Sequence, residues 1–499
     1  MFRIYSHFLF SKILAALPFS LISNVAAEPF LFPGDEFIRH EIRLIQDKAS
    51  LNGLQNTWPL NLAGLSYSLQ SKAGFDWKHS LLENKISDER NSGLGNVVSS
   101  LGIRDERMIS RGFSSTPYST FSSNISTSWM NNRFAAKLSL NAFGGMQKDW
   151  KDRIDDGFAL DGSYISARLG NWSTTIGQVG RWWGPGWDGS LILSTNSRPI
   201  PAFSIDRRVP EAFDTKWLSW IGPWSFHSFV GQLEEDRQIP KPYIWGLRGE
   251  IAPTIIKGLE VGFFRVMQLG GEGRPSGLST WLDAFLSQDN YGANTGNNDP
   301  SKEPGNQLAG IDLRWRPHDS PFAIYGQVVG EDEDKFLPNC LMFQYGIEGW
   351  GTIYESTFRV FAEYADLTSY WWTDDPRTRN ISYGHQIYSD GYRYKGRPMG
   401  HWADQDSKIL SVGGFWLSNE EIGWGSIMRK GKLNEDGVGQ SSVSNNVSTD
   451  YFSLEIFNAS EQQNLSLSVH SSIGWESMAK NSGIIDEGMT AFLSLTRTF

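Results

Sequence analysis

The chain has 499 residues, enough for one large barrel with a small accessory domain, and 39% of them are hydrophobic. That fraction is too low for a helical membrane protein but suits strands with one wet face. A formal charge of -10 without a run of Lys or Arg argues against nucleic acid as a partner. The single cysteine, Cys340, excludes an internal disulfide and a cysteine metal cluster.

Residues 1–27 have the features of a secretory signal peptide. Two basic residues, Arg3 and Lys12, accompany an apolar stretch at about 13–22, and small residues end at Ala27. The apolar stretch is too short and broken to span a membrane as a helix, and no later segment has about 18 apolar residues in a row. We therefore predict a cleaved signal and no membrane helix.

The following segment, 28–105, begins with helical periodicity. Ile38, Ile42 and Ile45 recur at helical spacing after Asp35, a suitable cap. Because the mature chain would start here, we expect this segment to form a small helical bundle or plug on the periplasmic side.

Two more features of the same segment complete this prediction. Leu62, Leu65 and Leu69 repeat the helical spacing, and a third short helix is predicted over 76–85. The stretch 88–100 is rich in Ser, Gly and Asn, which is typical of a linker.

From residue 106 to 499 the pattern changes to period two, which predicts strands. Phe134, Ala136, Leu138 and Leu140 alternate with polar or small residues. One apolar and one polar face suits a barrel with lipid outside and water inside. Roughly 390 residues, at about 20 to 22 per strand and connection, give on the order of 18 strands. The fold class predicted is mostly β: a transmembrane outer-membrane β-barrel of about 18 antiparallel strands.

The end of the chain and the long connections support this fold. Leu493 and Leu495 lie on the apolar face of a last strand that ends at Phe499, as in bacterial outer-membrane barrels. A terminal strand of a soluble β-sandwich is the alternative. Long connections rich in Gly, Asn, Asp and Pro are expected to be extracellular loops or lumen plugs; they span 270–306, 371–406 and 431–446.

One short segment combines three tryptophans, Trp182, Trp183 and Trp187, with the charged residues Arg181 and Asp188. The rings could stack on sugars while the charges hydrogen-bond hydroxyl groups. The alternative is an inward-folded loop that packs the lumen. The glycine spacing also matches a dinucleotide fingerprint, but proline and tryptophan occupy positions where a backbone must approach pyrophosphate, and no helix follows.

This segment resembles the signature of the Wzi family of capsule-assembly proteins. The similarity covers most of the mature chain and continues through 57–60, 267–275, 298–300, 303–310, 325–327, 330–333, 346–349 and 388–392. Residues 431–486 show little of it. The resemblance implies an outer-membrane barrel with a periplasmic helical bundle, which acts as a lectin that binds capsular polysaccharide and helps retain it at the cell surface.

Four polar residues in Gly-rich, family-like segments are the second set of candidate glycan contacts: Glu272, Arg274, Asn306 and Gln307. The competing interpretation is that these four and the tryptophan segment together hold the lumen plug. The expected partners are capsular polysaccharide, outer-membrane lipid and the capsule export machinery.

Catalysis finds little support in the sequence. It contains no H-E-x-x-H, G-x-S-x-G or P-loop motif, and no ligand-spaced His and Cys, so we expect neither an enzyme, a metal nor a cofactor. Carboxylates are abundant, and a glycosidase pair is defined by separation in space, so a surface polysaccharide hydrolase stays an alternative. The other alternative is a porin-like or glycan-conducting channel.

Overall fold

The computed structural model shows a closed antiparallel β-barrel. The structure describes residues 29–49, 53–70, 92–105, 108–114, 119–146, 153, 155–285, 305–317, 320–334, 337–369, 380–420, 422–438, 441–444, 447–478 and 488–499. The expected signal peptide and the expected helix at 76–85 lie outside these residues.

The described N-terminal part is short and partly helical. It comprises β1 Phe30–Leu31, α1 Glu36–Ala49, β2 Thr57–Trp58, β3 Leu60–Asn61 and α2 Leu62–Gln70. The side chain of Asp35 caps α1 as expected, since its Oδ1 accepts the backbone N–H groups of Phe37 at 3.0 Å and Ile38 at 2.9 Å.

Nineteen strand segments follow as the barrel wall, with short elements in the loops. The segments up to the middle of the barrel are β4 Gly93–Arg104, β5 Ser119–Met130, β6 Phe134–Met146, β7 Gly157–Ala159, β8 Tyr164–Leu169, β9 Trp172–Gln178, β10 Trp182–Trp183 (a loop element), β11 Pro201–Arg207, β12 Trp224–Gln232, β13 Tyr243–Ile251 and β14 Leu259–Leu269. Loop helix α3 is Leu278–Phe285. The later segments are β15 Gly305–Trp315, β16 Phe322–Asp334, β17 Leu337–Ile353, β18 Ser356–Asp366, β19 Arg393–Tyr394 and β20 Arg397–Pro398 (both in a loop), β21 Lys408–Leu417, β22 Ile422–Leu433, β23 Thr449–Gln462, β24 Leu467–Met478 and β25 Gly488–Thr498.

The barrel has eighteen strand positions. Segments β7 and β8 both pair with β6 and together occupy one position, which reduces nineteen segments to eighteen. The last strand closes the barrel by pairing with the first, from Phe492 opposite Arg104 to Thr498 opposite Val98. The predicted fold class, an antiparallel barrel of about 18 strands, is confirmed. Closure pairs each described wall strand with a neighbour on both sides, so the backbone groups of the wall are hydrogen-bonded within the protein.

The wall is apolar outside and polar inside. Leu138, Leu140 and Ile311 point outward and are about half exposed, whereas the charged side chains of Arg248 and Arg359 point inward and are fully buried. This reverses the pattern of a soluble protein, in which charged groups face water on the outside. The outer face is therefore suited to lipid, and the barrel spans a membrane.

The two ends of the barrel differ in their connections. Turns of only two or three residues, such as 131–133, 170–171 and 354–355, lie at one end, together with both termini of the wall. Connections of tens of residues, such as 179–200 and 367–407, lie at the other end. Outer-membrane barrels have short periplasmic turns and long extracellular loops, so the long-loop end faces outward.

The predicted boundary between the N-terminal segment and the barrel is wrong. The wall begins at Gly93, within the stretch 88–100 that was expected to be a linker, and not at residue 106. Outward-facing Leu101 and Ile103 supply the apolar face, while small and polar residues line the inside. Period two is hard to recognise here because five of the twelve residues of the strand are glycine or serine and the register shifts between Leu94 and Val97.

The expectation of a helical bundle or plug on the periplasmic side of the barrel also needs correction for α1. This helix lies inside the lumen at the short-turn end, where Asp47 forms an ion pair with Arg314 at 2.8 Å and Arg43 forms one with Glu260 at 2.7 Å. Its polar face is therefore as buried as its apolar face. Among the described residues, no helix combines the length and apolarity needed to cross a membrane.

Candidate functional site

The tryptophan segment folds back into the barrel and joins the N-terminal part. Strand β10 pairs with β2, with Trp182 opposite Trp58 and Trp183 opposite Thr57. The indole N–H of Trp182 donates to the carbonyl oxygen of Gly184 at 3.1 Å. Both tryptophans are buried, so this segment closes against the plug and not against solvent.

A buried carboxylate on the wall holds the next turn of the segment. The side chain of Glu363 accepts the backbone N–H groups of Trp187 at 2.8 Å, Asp188 at 3.3 Å and Gly189 at 3.0 Å. The indole N–H of Trp187 donates to Glu348 at 2.7 Å. Three convergent N–H groups around one carboxylate form an anion-binding turn, whose anion is part of the protein itself.

Asp188 connects this turn to the two wall strands that follow the strand of Glu363, β21 and β22. Its carboxylate accepts Nη2 of Arg429 at 2.7 Å, the hydroxyl of Ser411 at 2.6 Å and the indole N–H of Trp402 at 3.2 Å. Burial acts to raise the pKa of Asp188, but the charge of Arg429 and these hydrogen bonds hold the pKa below its usual range. Asp188 is therefore ionised and fully satisfied by protein groups.

Aromatic and cationic packing completes the environment of Trp187. Its ring stacks on Phe361 with centroids 6.2 Å apart and contacts Phe415 at 5.1 Å. The guanidinium of Arg39, from α1, lies 4.3 Å from the ring centroid. The ring is enclosed on its faces, which leaves no surface on which a sugar could stack.

The first five candidate residues thus require a correction. Trp182, Trp183, Trp187 and Asp188 are at most 2% exposed, and Arg181 lies half-buried with its guanidinium 4.4 Å from the Phe229 ring. In the structure these residues pack the lumen, which is the alternative that the sequence analysis named for this segment. Sequence reasoning was misled because stacking on a sugar and stacking on a neighbouring ring require the same residues.

The second four candidates divide between the lumen and the outside. Asn306 is buried in the lumen, where its Nδ2 donates to Gln268 at 3.2 Å. Gln307, the next residue, points to the outer wall and pairs with Arg265. Adjacent strand residues face opposite sides of the wall, so these two cannot contribute to one site.

Glu272 and Arg274 lie at the long-loop end in the turn after β14. The side chain of Glu272 is mostly exposed and lies 3.4 Å from the amine of Lys241, which also pairs with Glu235 at 3.0 Å. Arg274 is half-buried, and its backbone N–H donates to Gly271 at 3.2 Å. Of the nine candidates, Glu272 is the one whose charged group is freely presented to the outside.

The described residues of a second long loop, 367–369 and 380–407, close the lumen above the tryptophan segment. The hydroxyl of Tyr383 donates to the carbonyl oxygen of Leu191 at 2.6 Å and accepts the backbone N–H of His401 at 2.9 Å. The hydroxyl of Tyr392 donates to Ile192 at 2.9 Å. Burial raises the pKa of both tyrosines well above the usual range, so both stay protonated donors.

Charged pairs on the long-loop end offer a polar outer rim. Lys395 pairs with Asp155 at 2.9 Å, and Arg153 lies 3.7 Å from Asp390. The Lys395 and Asp155 side chains are each about one-third exposed. The amine of Lys395 can exchange its partner for sugar hydroxyl groups at modest cost, since partly exposed ion pairs are weak, whereas Asp155 is also held by the buried Arg198.

Sequence reasoning missed the wall residues that organise this interior, above all Glu363 and Glu348. Their signal was present as charged residues in the polar register of β17 and β18, but the pattern does not say which loop they bind. Within the described parts of the chain, no group of three or more His, Cys, Asp or Glu side chains could hold a metal ion.

Comparisons with known proteins agree with this geometry. The chain matches a protein from the cps region of Klebsiella pneumoniae, described as an uncharacterized 55.8 kDa protein, at 31% identity over 67% of this chain and 66% of that protein's length. The fold of the present chain is similar to that of Wzi from Escherichia coli, described as an outer-membrane, carbohydrate-binding β-barrel involved in group 1 capsule assembly. That match has a TM-score of 0.80 at 24% identity and covers 95% of this chain and all of Wzi.

A second solved barrel matches this chain less well. OprD of Pseudomonas aeruginosa matches with a TM-score of 0.44 at 9% identity, over 82% of this chain and 95% of that one.

The family model for capsule assembly protein Wzi matches residues 90–480, which is most of the chain. The inferred resemblance is confirmed, and this protein belongs to the Wzi family of capsule assembly proteins.

Proposed function

We propose that this protein is an outer-membrane lectin that binds capsular polysaccharide on its long-loop face and helps attach and organise the capsule at the cell surface. The observation that carries the proposal is the closed lumen. Helix α1 fills the short-turn end, and the described segments 179–200, 367–369 and 380–407 fill the long-loop end. A polymer therefore meets a surface and not a passage.

The proposed glycan contacts are the exposed charged groups around Glu272 and the partly exposed pair of Lys395 and Asp155. The tryptophan segment packs beneath the loops that carry them. Each such contact is weak, because it competes with water and with an existing ion pair. A repeating glycan can engage many copies of the protein along one chain, so retention can result from avidity. No covalent attachment, metal or cofactor enters this proposal, and no cleavage of the glycan is part of it.

Binding, conduction and hydrolysis can be separated with one preparation of the purified full-length protein. We expect it to retain capsular polysaccharide from its own strain, to give no stable current in a planar bilayer, and to leave the polymer length unchanged. A steady current would favour the channel alternative, and shortened polysaccharide would favour the hydrolase. Absence of retention at high protein density would contradict the lectin.

Loss of the protein from its own strain tests the cellular role. We expect unchanged polymer synthesis and a larger share of capsule released into the medium, because a retention protein changes the location of the polymer more than its amount. A fall in total polymer without release would contradict attachment as the role. Contact with the export machinery stays a prediction, which chemical cross-linking of capsule-producing cells can test.

A further inference from the structure

Helix α3 lies against the outer wall of the barrel and not over its mouth. The Trp281 ring lies 5.8 Å from Tyr243 and 6.1 Å from Trp245, and Phe285 stacks on Trp245 with centroids 5.4 Å apart. These two wall residues flank Ile244, which is buried toward the lumen. By the period of two in a strand, their rings point outward.

Two further wall residues show that the helix covers the outer face. Met267 and Leu269 are in the outward register of β14, in line with the exposed Phe263, yet both are buried. They form an apolar cluster with Trp245 and Trp281. Helix α3 thus lies over the outside of the wall.

A cation fixes the end of the helix at this position. Outward-facing Arg265 donates through Nη1 to the carbonyl oxygen of Phe285 at 3.1 Å and pairs through Nη2 with Gln307. An arginine at the last carbonyl groups of a helix offsets the negative end of the helix dipole. The helix is therefore docked on the wall by both aromatic and polar contacts.

One flank of α3, next to the face that contacts the wall, is apolar. Leu278, Leu282 and Phe285 follow at intervals of four and three residues, and all three are exposed, Leu278 at 77%. Transfer of such side chains from water to an apolar environment is favourable by on the order of 25 cal/mol of free energy for each Å² of apolar surface buried. Their surface is continuous with the lipid-facing wall through Trp245 and Phe285.

The height of the helix matches one boundary of the bilayer. Met267, opposite Trp245, is eight residues along β14 from Leu259, which pairs with the exposed Trp315 near the short turns. Eight residues rise about 26 Å along a strand, or about 20 Å along the barrel axis at a tilt of about 40°. Aromatic rings thus stand at both edges of a lipid-facing band of about 20 Å, somewhat shorter than the belt of about 25 Å typical of such barrels, and α3 lies at the upper edge.

We propose that α3 is an interfacial membrane helix, which inserts Leu278, Leu282 and Phe285 into the acyl-chain boundary of the outer leaflet. It widens the hydrophobic belt on the side of β13 to β15 and anchors the long loop that carries Glu272 to the membrane surface. Its partner is lipid, bound through hydrocarbon contact; this goes beyond glycan binding, which the proposal does not require.

Nitroxide labels on the exposed ridge can test this proposal in the full-length protein reconstituted into bilayers. Leu278→Cys and Leu282→Cys place labels on α3, while Ile311→Cys marks the lipid-facing wall and Tyr354→Cys marks a turn that is 98% exposed. Cys340 is buried, so the parent protein controls for background labelling. Collision with oxygen, which concentrates in lipid, is compared with collision with a water-soluble nickel chelate.

We expect both α3 labels to collide with oxygen several times more often than with nickel, as at Ile311 and opposite to Tyr354. A nickel-dominated profile at both α3 positions would place the ridge in water and overturn the proposal. Dipolar coupling between labels of two protein molecules, with neither reagent reaching them, would also overturn it, since the ridge would then contact a second copy of the chain.

Discussion

The two ends of the lumen are closed by different chemistry. At the short-turn end, α1 is held by side-chain ion pairs, Asp47 with Arg314 and Arg43 with Glu260, and by the apolar packing of its other face. At the long-loop end, the tryptophan segment is held by one carboxylate that binds backbone N–H groups and by enclosed aromatic rings. One closure is a helix docked by side-chain pairs, and the other is a folded loop whose backbone is itself bound to the wall.

This difference suggests which closure tolerates change. A helix keeps its backbone hydrogen bonds when it leaves the wall, so its loss costs only the docking contacts. The loop depends on the wall for its backbone partners, and its release would leave buried polar groups unpaired. We expect substitutions at the long-loop end to destabilise the barrel more than equivalent substitutions at α1.

The largest effect is expected for Asp188→Ala. Removal of this carboxylate leaves Arg429 without its closest partner in a buried site, at a cost of about 3–5 kcal/mol in the free energy of unfolding. The resistance of the folded barrel to heat and denaturant measures it. Ser411→Ala is the matched control, because it removes one neutral donor to the same carboxylate and should cost about 1 kcal/mol. Equal costs would show that the ion pair does not hold the loop.

Acid should weaken the long-loop end through His401. Burial lowers the pKa of His401 to about 4, so between about pH 6.5 and pH 4 the unfolded chain binds a proton that the folded protein does not. The free energy of unfolding should therefore decrease as the pH is lowered through this window, by up to about 3 kcal/mol for a shift of about 2.5 pKa units. Unfolding at pH 7 and pH 4.5 measures the fall.

His401→Gln sharpens the pH comparison, because Gln is neutral throughout and its side-chain oxygen can accept the N–H of Ala403 in place of the ring. Burial, with nearby Asp436, raises the pKa of Asp406 to about 7, which gives the opposite slope in both proteins and cancels in their difference. A difference between parent and variant that does not change from pH 7 to pH 4.5 would contradict the role of His401.

Asp47→Asn probes the other closure and should have a smaller effect. Asp47 accepts two hydrogen bonds from Arg314, at 3.0 and 2.8 Å, and one from Arg359 at 3.3 Å, but both arginines keep Glu348 as a partner. We expect a loss of about 1.5–3 kcal/mol, the range for hydrogen bonds to charged groups. Unfolding in denaturant measures it, and planar-bilayer current reports whether α1 still closes the lumen.

Lys48→Gln is the control on the same helix. Its amine is exposed and donates to Thr352 at 2.6 Å near the short turns, so the substitution should change neither stability nor current. If the equivalent substitution Asp47→Ala destabilised the barrel as much as Asp188→Ala, the contrast between the two closures would be wrong.

The same contrast explains what the sequence could predict. Every strand must present apolar side chains to lipid, so the alternation at Leu138 and Leu140 could be predicted from the local sequence. The helix cap at Asp35 is also a local feature and could be predicted in the same way. The interior is decided by pairs distant in sequence. Asp188 and Arg429 are separated by 241 positions, and nothing in the local pattern of either residue names the other.

Residue type was equally ambiguous for the candidate site. Trp187 and Asp188 suit sugar recognition and lumen packing alike, and burial alone distinguishes the two roles. Gly93–Arg104 was missed as a strand for the opposite reason, since small residues gave a weak signal on its lumen side. Both errors arose where the inside of the barrel, and not the lipid, determines the residue.

The smallest effect on stability, and the most direct test of the glycan face, is expected for Glu272→Gln. The Glu272 carboxylate is mostly exposed and lies 3.4 Å from a similarly exposed Lys241, so its loss should not measurably change resistance to heat. Retention of capsular polysaccharide should nevertheless fall several-fold, because a repeating polymer multiplies the loss at each engaged copy. Trp187→Ala is the matched comparison from beneath the loops: it should lower heat resistance, and retention should fall only with the folded fraction. The reverse result, with binding lost at Trp187 in a fully stable barrel and unchanged at Glu272, would move the sugar site from the rim into the tryptophan segment.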